Sequence, residues 1–414
     1  MSTRTLVACL RDRVGATVSI AGWVHRRRVL KSVSFLVVRD RTGTAQAVFR
    51  EPPDAAEETV VRITGVVTAN PQAPSGVELR DPSLTVLSTV DKRPPFPLYR
   101  PDIPASLPVV LDNAAVALRH PVLRRRFEVA AASVAAFRRV LDRAGFTEIH
   151  TPKIVAAATE SGANVFQLDY FGRPAYLAQS PQFFKQAMVG VFERVYEVGP
   201  VFRAEPHDTA RHLAQYTSLD AELGFITDHR DVTAVLREVV AEMAGAAGPD
   251  APEVPSDIPS VDFVAAQELL ARQTGEDPRG EPDLAPAHER WLGAWARREF
   301  GSEFLFVTGY PMAKRPFYTH PDPARPGQSN SFDLLFRGME LVTGGQRLHR
   351  HADYAAVLGE AAGDYSDYLD AFAYGMPPHG GFAIGLERWV AQVLQVGNVR
   401  GTALFPRDLH RLRP

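Results

Sequence analysis

The 414-residue sequence predicts an α+β protein in which a small β-barrel precedes a larger domain built on an antiparallel sheet flanked by helices. Five short runs of alternating apolar and polar residues lie between residues 15 and 90, a pattern typical of strands. Residues 91–110 then contain six prolines. Beyond them, a stretch of helical period and two further alternating runs, at 195–198 and 216–222, predict a helix and a pair of antiparallel strands.

The composition is ordinary for a globular protein, with 45% hydrophobic and 23% charged residues. The sequence has no run of ~18 apolar residues that would cross a membrane, and its first residues lack the apolar core of a signal peptide. We therefore expect a cytoplasmic protein with no membrane association. The single cysteine, Cys9, has no partner for an internal disulfide, and we expect it to be a small buried residue.

The N-terminal strands favour a barrel of the OB type, because such barrels place five short strands within about 80 residues. Turn residues such as Thr42-Gly43 and Asn70-Pro71 separate the runs. The predicted strands are 17–23, 34–39, 46–49, 60–67 and 85–87.

The first 50 residues are strongly basic, with ten Arg and Lys against two Asp. Trp23, Phe35 and Phe49 are interleaved with these charges. OB barrels bind single-stranded nucleic acid by stacking bases on aromatic side chains, and basic residues among aromatics are typical of such a surface. A solvated basic face would have the same composition, so this segment alone leaves both interpretations open.

The proline-rich stretch predicts a semi-rigid connector, because proline fixes φ and removes a backbone donor. We therefore expect a barrel domain over 1–90, a linker over 91–115 and a second domain over 116–414. Residues 245–300 are the least informative part of that domain, with a Pro/Ala/Gly-rich loop and two helical stretches that flank residues 282–286.

The second domain begins with a predicted helix over 121–145 and a strand over 146–150. Further along, Arg203 follows the first of the two alternating runs, and the second run carries Tyr216. Period-two spacing places Tyr216, Ser218, Asp220 and Glu222 on one face of that strand. A guanidinium binds phosphate with bidentate geometry and an aromatic ring stacks on a base, so this strand pair predicts a nucleotide site.

Residues 331–349 predict a β-hairpin that brings Asp333 and Glu340 together from opposite arms. Two carboxylates beside a triphosphate suit Mg²⁺, although solvated carboxylates would look the same. The hairpin runs into Gly344-Gly345-Gln346-Arg347, where glycines allow a ligand to approach the backbone and Arg347 can pair with a carboxylate. Residues 377–390 predict a strand that turns into a helix at Gly385, with Arg388 on the first helical turn.

Together these stretches resemble the class II aminoacyl-tRNA synthetases. The sequence from Phe202-Arg203-Ala204-Glu205 to Tyr216 resembles motif 2, residues 121–152 resemble the dimer-forming motif 1, and residues 377–390 resemble motif 3. The barrel resembles the anticodon-binding barrel of class IIb, and the short spacing between motifs 2 and 3 resembles the archaeal-type aspartyl-tRNA synthetases. The resemblance covers essentially the whole chain.

This resemblance implies a set of site residues. ATP would contact Arg203, Glu205, Arg211, His212, Tyr216, Glu340 and Arg388, of which Arg203 and Arg388 would be catalytic, and Mg²⁺ would lie on Asp333 and Glu340. Aspartate would contact Glu160, Gln179, Lys185, Asp220 and Arg347, and Lys185 with Arg347 would form a doubly cationic pocket. The anticodon would contact Arg28, Phe35, Gln46 and Glu78.

The implied activity is that of a homodimeric aspartate–tRNA ligase that forms aspartyl-adenylate from ATP and transfers the aspartyl group to tRNA(Asp). Two residues depart from the pattern of enzymes that accept only tRNA(Asp): His25 replaces a Trp and Pro74 replaces a Lys. We therefore expect tRNA(Asn) to be a substrate as well. The alternatives are an asparaginyl-tRNA synthetase, a stand-alone asparagine synthetase, which would lack the barrel, and an inactive synthetase-like RNA-binding regulator.

Overall fold

The computed structural model describes residues 4–156 and 164–414. Glu160, which the resemblance implies for substrate binding, lies outside the described residues. Contacts between residues divide the chain into two units, Met1–Arg124 and Arg125–Pro414. In the ranges described, no helix is both long and apolar enough to cross a membrane.

The first unit contains the predicted OB barrel, which is closed and has the strand order β1-β2-β3-β5-β4. Leu36 and Val38 of β2 and Ala45 and Ala47 of β3 point inward, so the residues between them lie on the outer face. The last strand begins at Val77, earlier than predicted, because Val77 and Leu79 also fill the interior. The strands are β1 Thr17–Val29, β2 Ser34–Asp40, β3 Gly43–Phe49, β4 Val60–Ala69 and β5 Val77–Ser88.

The prediction that Cys9 is buried was wrong, since its thiol is exposed. Cys9 ends a single 3₁₀ turn, Val7–Cys9, that packs on the barrel. Val7 and Leu10 lie on the same side of this turn and take the two buried positions, which leaves Cys9 on the outside.

Residues 91–124 group with the barrel and contain two short helices, α1 Leu107–Asp112 and α2 Ala114–Ala117. Phe96 and Leu98 of the proline-rich stretch are buried against Val110 of α1 and Leu123. The segment expected to be a connector over 91–115 is thus partly helical and has a small apolar core. Proline restricts the backbone here, but the apolar side chains between the prolines still pack.

The second unit is built on an eight-stranded sheet of order β12-β13-β16-β17-β18-β11-β10-β6, with two smaller sheets, β7-β9-β8 and β14-β15. The strands are β6 Thr147–Glu148, β7 Ile154–Val155, β8 Gln167–Tyr170, β9 Arg173–Leu177, β10 Arg194–Phe202, β11 Gln215–Gly224, β12 Ser260–Asp262, β13 Phe304–Thr308, β14 Pro321–Asp322, β15 Arg325–Ser329, β16 Ser331–Phe336, β17 Met339–Gln346 and β18 His379–Gly385. The helices are α3 Pro121–Arg143, α4 Gln182–Phe192, α5 His229–Ala246, α6 Phe263–Thr274, α7 Pro286–Phe300, α8 His351–Leu358, α9 Ser366–Ala373 and α10 Leu386–Val393.

Helix α3 matches the helix predicted over 121–145, and Gly145 follows it with φ of +78°. The strand predicted over 146–150 is reduced to the two residues of β6, which pair with β10 in parallel. The predicted α+β class, with a barrel followed by a helix-flanked and largely antiparallel sheet, is confirmed.

Along β11, one face of the large sheet is apolar and the other is polar, as the alternation in this strand predicts. Leu219, Ala221 and Leu223 lie in the main core with residues of α3, α5 and α10. Ser218, Asp220 and Glu222 alternate with them and are therefore directed to the opposite face. Cross-strand pairing aligns Asp220 with Ala383 of β18, Thr343 of β17 and Asp333 of β16, so this polar face can hold a ligand.

Strands β11, β17 and β18 approach so closely that Gly381 cannot carry a side chain. A Cβ atom there would overlap the carbonyl oxygen of Ala221 and the carboxylate of Glu222. We expect Gly381→Ala to lower the free energy of unfolding by about 2 kcal/mol or more, because the crowded atoms are rigid backbone and a buried ion. Urea unfolding monitored by circular dichroism measures this change. Gly363→Ala is the control, since a Cβ atom there meets nothing within 4 Å; equal losses in the two variants would contradict the prediction.

Candidate active site

The hairpin of β10 and β11 forms one wall of the candidate site. Val201 pairs with Tyr216 and Phe202 pairs with Gln215, so Arg203 leaves the hairpin beside the aromatic ring at its open end. The backbone N–H of Arg203 donates to the carbonyl of Ala214, which closes the base of the 203–214 loop. The predicted Arg and aromatic of motif 2 thus lie on adjacent strands.

A cavity of about 390 Å³ opens beside this hairpin. Its lining includes all seven residues that the sequence assigned to ATP: Arg203, Glu205, Arg211, His212, Tyr216, Glu340 and Arg388. Gly385 also lines it, at the junction between β18 and α10 where motif 3 was predicted. Because these residues come from separate stretches of the chain, their convergence supports the nucleotide site.

His212 is held in the 203–214 loop by a hydrogen bond between its Nδ1 and the Thr209 hydroxyl, 2.6 Å apart. Its ring lies 4.6 Å from that of His207, measured between ring centres. Burial, followed by the positive charges of Arg388, His207 and Arg211, lowers the pKa of His212 to about 4. His212 is therefore neutral at pH 7 and can contact a nucleotide without adding charge.

Glu340 and Arg388, which both line the cavity, also contact each other. A guanidinium N–H of Arg388 donates to the Glu340 carbonyl at 2.7 Å, and the same nitrogen lies 3.4 Å from the Glu340 carboxylate. The Glu340 side chain is 40% exposed, which leaves carboxylate surface for a cation. Thr343, which the sequence analysis did not select, also lines the cavity, and its hydroxyl lies 3.4 Å from Glu340 Oε1.

Asp333, the second predicted metal ligand, is not among the residues that line this cavity. It is buried and forms an ion pair with Arg315 at 3.2 Å. Burial raises the pKa of Asp333 to about 6, with a further contribution from the charge of Glu340 and opposed by Arg315. Within the described part of the chain, no group of three or more His, Cys, Asp or Glu side chains has metal-binding geometry.

A buried tetrad of charges lies farther along the same sheet face and consists of Lys185, Asp220, Glu222 and Arg347. Lys185 Nζ lies 3.0 Å from Asp220 and 3.2 Å from Glu222, and Arg347 Nε lies 3.0 Å from Glu222. All four side chains are nearly inaccessible to solvent. Each cation of the expected doubly cationic pocket thus has a carboxylate partner, so the four side chains together carry no net formal charge.

Glu222 is the residue of this tetrad that the sequence analysis did not assign to substrate, although its position in the β11 alternation placed it on the correct face. Burial alone would raise its pKa, but Arg347 and Lys185 outweigh that effect and hold the pKa below its usual value. Ser218 adds a hydrogen bond of 2.5 Å to Asp220. Gln179 is buried as well, just before the helix α4 that carries Lys185.

A group of neutral, hydrogen-bonded side chains lies next to the tetrad and forms a buried layer. His379 Nδ1 donates to the Pro377 carbonyl at 2.9 Å, so Nε2 is left to accept from Gln186 at 3.0 Å. Gln186 is also bonded to Tyr354 and Tyr368. Burial lowers the pKa of His379 to about 4, so the ring is neutral at pH 7.

The predicted anticodon residues converge on the outer face of the barrel. Gln46 donates to the buried Glu78 at 3.0 Å, and Asn70 donates to the same carboxylate at 2.8 Å. On the neighbouring strands, Arg28 pairs with Phe35, with its guanidinium carbon 5.8 Å from the ring centre. This outer face combines an exposed cation, an aromatic ring and polar groups, which is the combination expected of a surface for single-stranded nucleic acid.

His25 and Pro74 lie on different elements of the barrel. His25 is at an irregularity in β1, where its Nδ1 is 2.9 Å from an Arg39 guanidinium that also pairs with Glu58. Burial, followed by Arg39, lowers the pKa of His25 to about 4. Pro74 is exposed in the turn between β4 and β5, three residues before Val77 begins β5.

Comparison with known proteins agrees with this geometry. A model of the class II tRNA synthetases (D, K and N) matches residues 106–409, and one of the OB-fold nucleic acid binding domain matches residues 18–87. The chain belongs to the class II tRNA synthetases. The predicted resemblance and enzyme class are confirmed.

Individual relatives match along their whole length. An aspartate–tRNA(Asp/Asn) ligase of Thermus thermophilus is 44% identical over 425 residues, which cover 99% of this chain and 100% of the relative. A ligase of the same description from Deinococcus radiodurans is 44% identical over 436 residues, which cover 99% of each chain. The crystal structure of an asparaginyl-tRNA synthetase from Pyrococcus horikoshii, complexed with asparaginyl-adenylate, superposes with a TM-score of 0.90 at 31% identity and covers 97% of each chain.

The buried His379 makes the synthetase sensitive to acid. In the unfolded chain its pKa is 6.5, whereas in the folded protein it is about 4. Between these values the unfolded state binds more protons, so the free energy of unfolding falls as the pH falls, by about 1.4 kcal/mol per unit for this residue. Urea unfolding at pH 7, 6 and 5 measures the slope. In His379→Gln the side chain at this position does not titrate, so the free energy of unfolding should fall less steeply with pH, by the equivalent of about one proton taken up on unfolding. Identical slopes in the two proteins would contradict the assignment.

Proposed function

We propose that this synthetase activates L-aspartate with ATP and transfers the aspartyl group to tRNA(Asp) and tRNA(Asn). The observation that carries the proposal is that the nucleotide-sized cavity and the buried charge tetrad lie on the same face of one sheet. A nucleotide in the cavity would therefore have its phosphates near an amino acid held at the tetrad. The full-length relatives described as aspartate–tRNA(Asp/Asn) ligases support the same assignment.

In the first step, Arg203 and Arg388, which both line the cavity, would hold the phosphates of ATP, and Tyr216 would stack on adenine. Glu205, Arg211 and His212 would contact the nucleotide from the 203–214 loop. The α-carboxylate of aspartate attacks the α-phosphorus, and pyrophosphate leaves. The protein contributes chiefly position and charge stabilisation, because the reaction needs no protein nucleophile.

Mg²⁺ would bind at Glu340, whose partly exposed carboxylate is a hard oxygen ligand of the kind this ion prefers. The Thr343 hydroxyl is close enough to complete the same site. Bound there, the ion would neutralise phosphate charge as pyrophosphate leaves. Asp333 is paired with Arg315, so we assign it an electrostatic role beside Glu340 instead of direct coordination.

The tetrad can discriminate aspartate from asparagine through hydrogen-bond polarity. It contains two cations and two carboxylates, so it suits an amino acid whose ammonium group approaches Asp220 and whose side-chain carboxylate approaches Arg347. An ionised carboxylate accepts hydrogen bonds and donates none, whereas Arg347 and Lys185 donate hydrogen bonds and accept none. Asparagine has an N–H₂ group in place of one carboxylate oxygen. Its N–H donors would face the N–H donors of Arg347 and Lys185, which would leave buried polar groups unsatisfied.

An asparaginyl-tRNA synthetase is the second candidate, favoured by the superposition on the Pyrococcus horikoshii enzyme. Exchange of labelled pyrophosphate into ATP separates the two. We expect aspartate to support exchange at least about a hundredfold faster than asparagine at equal concentration, because the site rejects the misplaced amide. Comparable rates would refute the aspartate assignment.

The same assay tests the residue that makes the distinction. Arg347→Gln should lower exchange with aspartate by about a hundredfold, since it removes a charged donor from a buried site. Arg350→Gln is the matched control: Arg350 is exposed and pairs with Asp353 on the surface.

We infer tRNA(Asn) as a second substrate from the barrel. The aspartate and asparagine anticodons differ in their third base, so a barrel that lacks contacts to that base accepts both. His25 is smaller than the tryptophan it replaces and is tied to Arg39, while Pro74 has no side-chain donor. Specificity is a difference of affinities, and both residues remove groups that could penalise the wrong base.

Aminoacylation of purified tRNA(Asp) and tRNA(Asn) with aspartate tests this inference. The wild-type enzyme should charge both with kcat/KM values within about tenfold, because His25 and Pro74 would not penalise the wrong third base. His25→Trp with Pro74→Lys should shift the preference toward tRNA(Asp). Pro71→Lys, which adds the same charge to the same turn, is the control. A several-hundredfold wild-type preference for tRNA(Asp), or no shift in the double variant, would contradict the proposal.

The resemblance of α3 and β6 to motif 1 supports a homodimer. We also place the enzyme in the cytoplasm, where its proposed substrates tRNA and ATP are found. Both assignments are part of the same proposal.

A further inference from the structure

Helix α7 lies in the segment for which the sequence indicated no role, yet it contributes a buried carboxylate beside the nucleotide cavity. Glu289 accepts from an Arg211 guanidinium nitrogen at 2.7 Å and from the backbone N–H of Glu340 at 2.8 Å. Both partners belong to residues that line the cavity. We infer that Glu289 is a positioning residue for ATP and Mg²⁺. The inference rests on the proposed function and extends it to a part of the chain outside the three motifs.

The position of Glu289 on α7 is unusual for a carboxylate. Glu289, Leu292, Gly293 and Ala296 are the buried residues of this helix and follow its inward-facing stripe. Leu292 and Ala296 pack in an apolar cluster with residues of β13 and β16. A charged residue at the end of such a stripe is costly to bury unless it is paired, and Glu289 is 6% exposed. Its burial is therefore tied to Arg211.

The backbone brings α7 close enough for these contacts. A Cβ atom on Gly293 would overlap the backbone of Gly338, in the turn between β16 and β17. A Cβ atom on Gly338 would in turn lie 2.8 Å from the Arg290 Cα. The helix thus packs directly on the hairpin turn. Glu289 precedes Gly293 by one helical turn, and Glu340 follows Gly338 by two residues. The close contact between the two glycines therefore places Glu289 beside Glu340.

This arrangement fixes two ligand groups at once. The single carboxylate oxygen Oε2 receives both hydrogen bonds, so Arg211 in the 203–214 loop and the start of β17 are tied to one point on α7. A guanidinium has five N–H donors, so Arg211 can hold Glu289 and still contact phosphate. The bond to the Glu340 N–H sets the backbone that carries the proposed Mg²⁺ ligand. Loss of Glu289 would loosen both Arg211 and the Glu340 backbone.

The test compares Glu289→Gln with wild type in aspartate-dependent ATP–pyrophosphate exchange. Glutamine can still accept from the Glu340 N–H, but it loses the charge that holds Arg211. We expect KM for ATP to rise about tenfold, because a hydrogen bond to a charged group is lost. The Mg²⁺ concentration that gives half-maximal rate should rise several-fold for the same reason. KM for aspartate should change less than twofold. Glu299→Gln, the same substitution at an exposed position of α7 paired with Arg298, is the control and should match wild type.

Thermal unfolding of the same variants distinguishes positioning from a purely structural role. If Glu289→Gln lowers Tm but leaves KM for ATP and the Mg²⁺ dependence unchanged, the inference is overturned. Arg211→Gln and the double variant complete a cycle in which the two effects should be non-additive; simple additivity would also overturn it. If Glu289→Gln does not fold, Glu289→Asp, which keeps the charge but shortens its reach, is measured in its place with the same expected rise in KM for ATP.

The design separates this inference from the proposed function. Should the wild-type enzyme exchange pyrophosphate with an amino acid other than aspartate, the aspartate assignment fails, and the variants are then compared with that amino acid. A rise in KM for ATP in Glu289→Gln but not in Glu299→Gln would support the role of Glu289 in either case.

Discussion

The buried tetrad of Lys185, Asp220, Glu222 and Arg347 is the interaction on which the rest of the second unit depends. A carboxylate or ammonium group removed from water is strongly destabilising unless it is paired with good geometry. The four charges come from α4, β11 and the end of β17, so they are satisfied only when these elements have assembled in the correct register. Gly381 of β18 leaves the space in which the Glu222 carboxylate fits.

The tetrad and the cavity lie on the same polar face of the large sheet but differ in how far they are closed to solvent. The tetrad is fully buried and backed by the neutral layer of His379, Gln186 and the two tyrosines, which leaves little freedom for its side chains. The nucleotide cavity is bordered by a loop and by partly exposed side chains such as Glu340. A closed amino-acid subsite at the tetrad beside a more open nucleotide subsite at the cavity would suit the proposed enzyme, which must select among amino acids and then release pyrophosphate.

Much of this structure could be predicted from local pattern. The five barrel strands, helix α3, the β10–β11 hairpin and the turn at Gly385 follow from alternation, helical period and glycine placement. The alternation in β11 also assigned Ser218, Asp220 and Glu222 to one face. The seven residues that the family resemblance, and not local pattern, implied for ATP all line the cavity. Local pattern failed for Cys9 and for residues 91–115, where packing of neighbouring apolar side chains decided burial and helix formation.

Local sequence was enough to predict the order of the elements and which guanidinium, aromatic and carboxylate groups the site has, and on which strand faces. How those charges are paired became visible in the folded structure. It joined Lys185 and Arg347 to Asp220 and Glu222, turned Asp333 toward Arg315, and brought Glu289 from α7 to Arg211. Pairing depends on distances between residues that are far apart in the chain, and those distances are fixed by strand register and by close backbone contacts, which local pattern does not contain.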